Sequence, residues 1–447
     1  MSGTIKVKKG LDISLKGKAE LYEGGKCESE VYAIYPDDFV GLTPKVVVKP
    51  GDKVWAGTPL MIDKNREEVC IVSPVSGEIV AVNRGDRRKV INVEIRKDGE
   101  KKFVNFGVAN PQELSAEEIK QKMISAGLFA FIRQRPYDVV ADPRISPRDI
   151  FVSCFDTAPL APSVEYILRG EEENFEAGLV ALSKLTTGKL YVSIKEGADY
   201  VPKHGEVYTF SGKHPTGNVG TQIAYISPIN KGDVVWTMSA LEVLFIGRLF
   251  NEGRVNFKRK VAVTGSEIIK PCYVETILGA SIKELLKGNV VMGKNLRYIS
   301  GNVLTGKNVG REGYLSAFAS QVSVIPEGND RHEFLGGITL GMRKLSNSRL
   351  FPAGFGQRGE YDVDARMNGS ERAMIMSGEY DKMFPMDIYP EYLLKAIMAF
   401  DINKMENLGI YEVAPEDFAL CEFVDTSKIE IQHIVREGLD RLRKEMN

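Results

Sequence analysis

The chain has 447 residues, 43% hydrophobic and 27% charged, the balance of an ordinary soluble protein with material for several domains. Its 59 Lys and Arg oppose 60 Asp and Glu, a formal net charge of −1, so the basic excess that neutralises phosphates is missing and a nucleic-acid binder is disfavoured. The five cysteines (Cys27, Cys70, Cys154, Cys272 and Cys421) are scattered without a C-x-x-C pair, which argues against a disulfide framework, a zinc ribbon and a locally ligated iron–sulfur cluster.

In chain order, the first basic residues have no apolar run behind them, so no signal peptide is expected. Short β-branched runs from residue 45 are broken by Gly51, Gly57 and Pro59, and a second group opens at Ser73-Pro-Val-Ser-Gly77; this predicts small strands joined by tight turns. The pairing is similar to the biotinyl/lipoyl-type barrel sandwich, whose carriers present a modified lysine on a hairpin. Lys64 lies in that stretch without a Met-Lys-Met setting, so a solvated lysine is the favoured reading. Asn83-Arg-Gly-Asp-Arg-Arg-Lys89 is a basic patch, read as a solvated hairpin tip ahead of a docking face.

Beyond residue 111 the texture becomes α/β. Ser115-x-x-Glu118 is a capping box for a helix that Gly127 can close. Strand patterns at 149–154 and 189–194 flank a helical pattern over 163–185, which implies a right-handed crossover and a parallel sheet. A second capping box, Ser239-x-x-Glu242, opens a helix over 240–250. The apolar run 234–250 carries Glu242 and Arg248 and is shorter than the ~20 residues a membrane span needs. Strands at 258–264 and 273–277 and a short helix over 281–286 predict a ubiquitin-like module. The pattern weakens after Arg331 through the glycine-rich 336–359, and helices follow over 391–400 and 428–446. The expected fold class is a multidomain α/β protein. Its parts are a barrel-sandwich β domain (1–110), a Rossmann-like α/β domain (111–256), an SLBB-type β-grasp module (257–335) and a mostly helical C-terminal region (336–447).

No catalytic constellation emerges from the motifs. Gly212-Lys-His-Pro-Thr-Gly217-Asn-Val-Gly220 lacks the Gly-Lys-[Ser/Thr] end of a phosphate loop. Turn chemistry explains it, although a glycine turn entering a helix can also offer N–H groups to an anion. His204, His214, His332 and His433 show no metal-ligand spacing, and no Gly-x-Ser-x-Gly elbow is present. The segment Tyr380 to Pro390 holds more large apolar groups than a loop needs. Phe384 and Tyr389 are therefore candidates for docking a partner, with core packing as the rival.

Several motifs carry a resemblance. They are Ile5-Lys-Val-Lys-Lys-Gly-Leu-Asp12, Gly127-Leu-Phe-Ala-Phe-Ile-Arg-Gln-Arg-Pro-Tyr137, Asp156-Thr-Ala-Pro-Leu-Ala161, His214-Pro-Thr-Gly-Asn-Val-Gly-Thr221, Ile246-Gly-Arg-Leu-Phe250, Arg297-Tyr-Ile-Ser-Gly-Asn-Val-Leu304, Gln321-Val-Ser-Val-Ile-Pro-Glu-Gly328, Met383-Phe-Pro-Met-Asp-Ile-Tyr-Pro390 and Asp417-Phe-Ala-Leu-Cys-Glu-Phe-Val424. In this order, along essentially the whole chain, they resemble the A subunits of the Na+-translocating NADH:quinone reductases (Na+-NQR). The resemblance implies a peripheral subunit on the cytoplasmic face of the cell membrane in a respiratory sodium pump, with the pump's other subunits as partners. NADH, FAD, FMN, riboflavin and an iron–sulfur centre are then expected in those other subunits, and no cofactor or metal on this chain.

The family is similar in architecture to the flavin-binding subunit of respiratory complex I, where a glycine-rich loop lies against FMN phosphate. Here the matching stretch, 129–137, is bulky and has no glycine, and is expected to fill that space. Of the relatives' cluster-ligating cysteines only Cys421 is retained. The expected function is a subunit redox-inactive by itself, acting in assembly; whether it also meets quinone the sequence leaves open. The alternatives are a free-standing flavin- or NAD(P)-dependent oxidoreductase and a biotin- or lipoyl-type carrier modified at Lys64. Near-neutral charge offers no general hold on lipid, so membrane attachment is expected through protein partners.

Overall fold

The computed structural model describes residues 3–329, 359–367 and 369–446. His332, the boundary expected at 335 and the glycine-rich stretch 336–358 lie outside them. The first unit is two small antiparallel sheets. One has the order Val31–Ile34, Val90–Lys97, Gly77–Arg84, Lys53–Val54; the other is Pro44–Val46, Pro59–Asp63, Cys70–Val72. Their inward residues, among them Leu60, Ile79, Val93 and Ile95, are fully buried, as alternating strands with one covered face require. Lys64 is exposed, but its neighbours are fixed. Buried Asp63 accepts from Arg66 Nε at 2.8 Å, and Arg66 Nη1 donates to the carbonyls of Val140 and Ala141 at 3.1 and 3.0 Å. This hairpin is pinned to the next unit, unlike the free arm a swinging carrier needs.

The α/β unit carries seven strands: β1 (Gly3–Lys6), β2 (Arg133–Arg135), β3 (Val139–Val140), β4 (Asp149–Ser153), β5 (Leu190–Lys195), β6 (Glu206–Ser211) and β7 (Val235–Ser239). Their order is β1-β6-β5-β4-β7-β2-β3. From β1 to β7 every neighbour is parallel, and β2 and β3 add antiparallel at the edge. Helix α1 (Ala116–Ser125) has the predicted capping box at Ser115 and Glu118, and Gly127 follows it at φ 70°. The helical pattern over 163–185 divides into α2 (Val164–Leu168) and α3 (Glu172–Ser183), with Gly170 at φ 82° between them. Helix α4 (Val219–Ile226) precedes β7, and α5 (Ala240–Glu252) follows it.

Helix α5 is the apolar run of the sequence. Its residues Ala240 to Phe250 are all buried, so it is the hydrophobic centre of this unit. It packs against α3 at Gly247, where a Cβ would lie 1.6 Å from the carbonyl oxygen of Asn174. Only glycine allows the two helices that approach.

A third unit is a mixed sheet in the order Lys307–Asn308, Leu296–Ser300, Gln321–Pro326, Lys258–Thr264, Cys272–Ile277, Glu23–Lys26. The C-terminal part is helical, with α6 (Pro390–Ala399), α7 (Ala419–Val424) and α8 (Ile431–Met446) around a core that includes Tyr380, Phe384, Leu393, Phe418 and Leu439.

The N-terminal arm ties these units together. After β1, Leu11 N donates to His214 O at 2.9 Å, Tyr361 N to Ser14 O at 2.8 Å and Gly265 N to Gly17 O at 2.9 Å. Ile13 and Leu15 sit in the C-terminal core, and Glu23–Lys26 becomes the edge strand of the mixed sheet. The described helices include none long and apolar enough to cross a membrane.

A candidate functional crevice at the strand ends

In the parallel sheet, β4 is followed across α2 and α3 by β5 on one side, while β7 lies on its other side. The strand order reverses at that point, and crevices in such sheets open there at the carboxyl ends. A cavity of about 520 Å³ occupies this place. Ser153 and Asp156 reach it from the end of β4, Ser239 from the end of β7 and Asn218 from the start of α4. The other units close it with Asp38, Phe318 and Glu416.

The expected bulky stretch forms the floor. Phe129 lies edge-on to Trp236 at 5.3 Å, and Phe131 packs against Phe39 and Phe257 at 5.4 Å each. Phe131 and Arg133 also line the crevice, yet open space remains above them. The filling expected from 129–137 is thus confined to the floor. Arg133 lies 4.4 Å over the Phe318 ring and 3.5 Å from Asp138.

The strongest electrostatic feature joins β2 to the C-terminal part. Arg135, fully buried, donates to Asp417 Oδ2 at 2.7 Å, Glu416 Oε1 at 3.1 Å and the Glu412 carbonyl at 3.0 Å. Burial opposes its charge, but Asp417 and Glu416 hold its pKa above the ordinary arginine value. Burial and the charge of Asp417 push the Glu416 carboxyl upward against the pull of Arg135.

This ion group sits on the first turn of α4. A Cβ on Gly220 would lie 2.3 Å from Asp417 Oδ1 and 2.5 Å from Arg135 Nη1. The helix start that could greet an anion therefore already faces a carboxylate of the same chain. The rest of the glycine loop is equally committed. His214 is buried with Nδ1 3.2 Å from Thr157 Oγ1, its amide donates to Asp12 at 2.9 Å, and desolvation lowers its pKa to about 4. The imidazole is neutral at pH 7.

Other sequence-derived candidates fall elsewhere. Phe384 is 1% exposed, 4.9 Å from Phe418 in the C-terminal core. Tyr389 is 67% exposed, so of the two only Tyr389 is available to a partner. Cys421 is buried, and desolvation raises its thiol pKa. His204 bonds Glu176 at 2.6 Å, and His433 lies on an exposed face of α8. Among the described residues no group of three or more His, Cys, Asp or Glu could hold a metal ion. The Arg135–Asp417 pair escaped sequence reasoning because its members are 282 positions apart and share no motif.

Comparison with known proteins accounts for the arrangement. Three family profiles match in chain order: the NqrA N-terminal barrel-sandwich hybrid domain over 5–98, the NqrA second alpha/beta domain over 114–255 and the NQRA C-terminal domain over 260–311. The Na(+)-translocating NADH-quinone reductase A subunit of Hahella chejuensis is 37% identical over 448 residues, 99% of this chain and all of that protein. The chain belongs to this family. The corresponding protein from Cellvibrio japonicus is 37% identical, and that of Haemophilus influenzae 35%, each over 99% of this chain and all of its own. The family's first two domains are the paired antiparallel sheets and the α/β unit described above. Among solved structures, an NAD+-reducing [NiFe]-hydrogenase in the H2-reduced state aligns with 75% of this chain and 62% of its own at 9% identity and a TM-score of 0.39.

Proposed function

We propose that this chain is a peripheral subunit of a respiratory Na+-translocating NADH:quinone oxidoreductase, redox-inactive by itself, that works in the assembly of the complex. The observation that carries this reading is end-to-end relatedness to the A subunits of these reductases at 35–37% identity. We read its units as a barrel sandwich, a Rossmann-like domain, a β-grasp module of the SLBB type and a helical C-terminal region, with changes of unit near residues 110, 256 and 335. Its place is the cytoplasmic face of the membrane.

NADH, the flavins and the iron–sulfur centre belong, on this reading, to other subunits. The crevice chemistry supports that assignment. A dinucleotide's phosphates need free helix-start N–H groups and a positive field. Here the start of α4 faces Asp417, and the walls bring Asp38, Asp156, Glu242 and Glu416. Arg133, Lys307 and Arg436 also line the crevice, but each is ion-paired within the chain, to Asp138, Asp38 and Asp440, so the described residues offer a nucleotide's phosphates neither a free helix start nor an unpaired cation.

Docking to the membrane partners is assigned to the exposed face around Tyr389. Tyr389 and Tyr392 are 67% and 57% exposed and lie edge to face at 6.2 Å. Ile375 and Met376 are 60% and 41% exposed on the segment whose Gly378 amide bonds Glu391 of the same helix at 2.8 Å. The test of the function uses membranes from cells that lack this chain. They should have lost Na+-dependent NADH:quinone activity and regain it on reconstitution with the purified chain. NADH-to-dye turnover by the pure chain alone would contradict the reading.

A further inference from the structure

The hairpin between strands Gly77–Arg84 and Val90–Lys97 concentrates charge that the whole chain lacks. Arg84, Arg87, Arg88 and Lys89 stand against Asp86 alone, four cations to one carboxylate, on a chain whose formal net charge is −1. Residues 84 to 89 are all exposed. Lys89 is paired with Asp37 at 2.6 Å. Among the described residues no carboxylate lies within ion-pair reach of Arg84, Arg87 or Arg88, although Arg84 Nη1 donates to the Arg88 carbonyl at 3.1 Å.

The backbone adds a second observation. Arg87 and Arg88 sit at φ 52° and 61°, the left-handed region where asparagine or glycine is cheap and a long side chain is not. The turn is closed by the Gly85 amide on the Lys89 carbonyl at 2.9 Å, a bond that Asn-Gly in the middle would serve better. Turn stability is therefore not what the two guanidiniums supply, and strain held at an exposed site points to use. Ile91, 45% exposed, places an apolar side chain against Gly85 at the base of the same turn.

We propose that this hairpin is a contact for the headgroups of anionic phospholipids. Unpaired guanidiniums on a convex tip, with an apolar side chain on the same turn, suit a broad negative surface into which the side chain can dip. Lys89 holds Asp37, which with Asp38 lines the crevice at the strand ends, so the hairpin and one wall of the crevice are joined by an ion pair. This surface is independent of the family assignment and is tested without the complex.

The full chain is sedimented with extruded vesicles of phosphatidylcholine, alone or with roughly a third phosphatidylglycerol. Binding is expected only to the anionic vesicles, and it should weaken as salt shortens the screening length. Arg87→Glu with Arg88→Glu should lower the apparent affinity by at least about 25-fold, roughly fivefold for each arginine lost before any repulsion by the new carboxylates. Arg87→Asn with Arg88→Gly relieves the backbone while removing both charges, so it should fold at least as well and still lose binding. Equal binding to neutral vesicles, no binding at low salt, or anionic binding that survives both variants would overturn the proposal. So would indifference to vesicles combined with loss of a protein partner in the charge-reversed chain, which would make this a protein contact.

Discussion

His214 and Arg135 show how individual side chains here are fixed by burial more than by local sequence. For His214 the ordinary pKa of 6.5 falls to about 4 in the fold because its ring is desolvated. The unfolded chain takes up the proton near pH 6.5 and the folded chain only near pH 4, so protonation favours unfolding. This contribution is intact above pH 6.5 and is lost as the pH falls toward 4, reaching about 3 kcal/mol. Urea unfolding at pH 7.5 and 4.5 should show that loss, and His214→Gln should show a smaller drop between the two. Arg135 is the opposite case, a buried charge held by Asp417 and Glu416. Asp417→Asn leaves that charge partly unpaired and should cost about 3–5 kcal/mol. Gly220→Ala forces a methyl against the same pair and should cost about 1–3 kcal/mol. In both variants proteolysis should reach the C-terminal helices first, because the pair joins them to β2. An unchanged melting temperature in both would remove Arg135 from that role.

At the level of elements, the readable parts were those governed by period and punctuation. The capping boxes at Ser115 and Ser239 both form, Gly127 ends its helix, and the strand–helix–strand pattern between residues 149 and 194 does give parallel neighbours. The apolar 234–250 run was legible as too short to span a bilayer, and the burial of its helical part, 240–250, follows from that helix's central position. Pairings between distant segments left no local trace. The arm that puts Gly3–Lys6 in one sheet and Glu23–Lys26 in another is an example, as is the Asp417 carboxylate on α4. The segment around Tyr380 mixed two outcomes for the same reason. Its apolar surplus was visible, but the side that faces inward is decided by packing with Phe418, just before α7, which covers Phe384 while Tyr389 stays out. Replacing Tyr389 and Tyr392 together by Ser should therefore leave the fold intact by circular dichroism while releasing the chain from its membrane partners. Co-purification of the other subunits with the variant chain in detergent, undiminished, would remove this face from the docking site, and replacement of Phe384 by Ser should instead unfold the C-terminal helices.

On the scale of the whole molecule, four units share one crevice, and the N-terminal arm runs between three of them. Membership in a multi-subunit NADH:quinone reductase can be checked by affinity purification of the tagged full chain from native membranes in mild detergent. The other subunits of the reductase should travel with it in fixed ratio, with flavin in the complex and Na+-stimulated NADH:quinone turnover in the eluate. A chain recovered alone, or one that oxidises NADH without partners, would contradict the account.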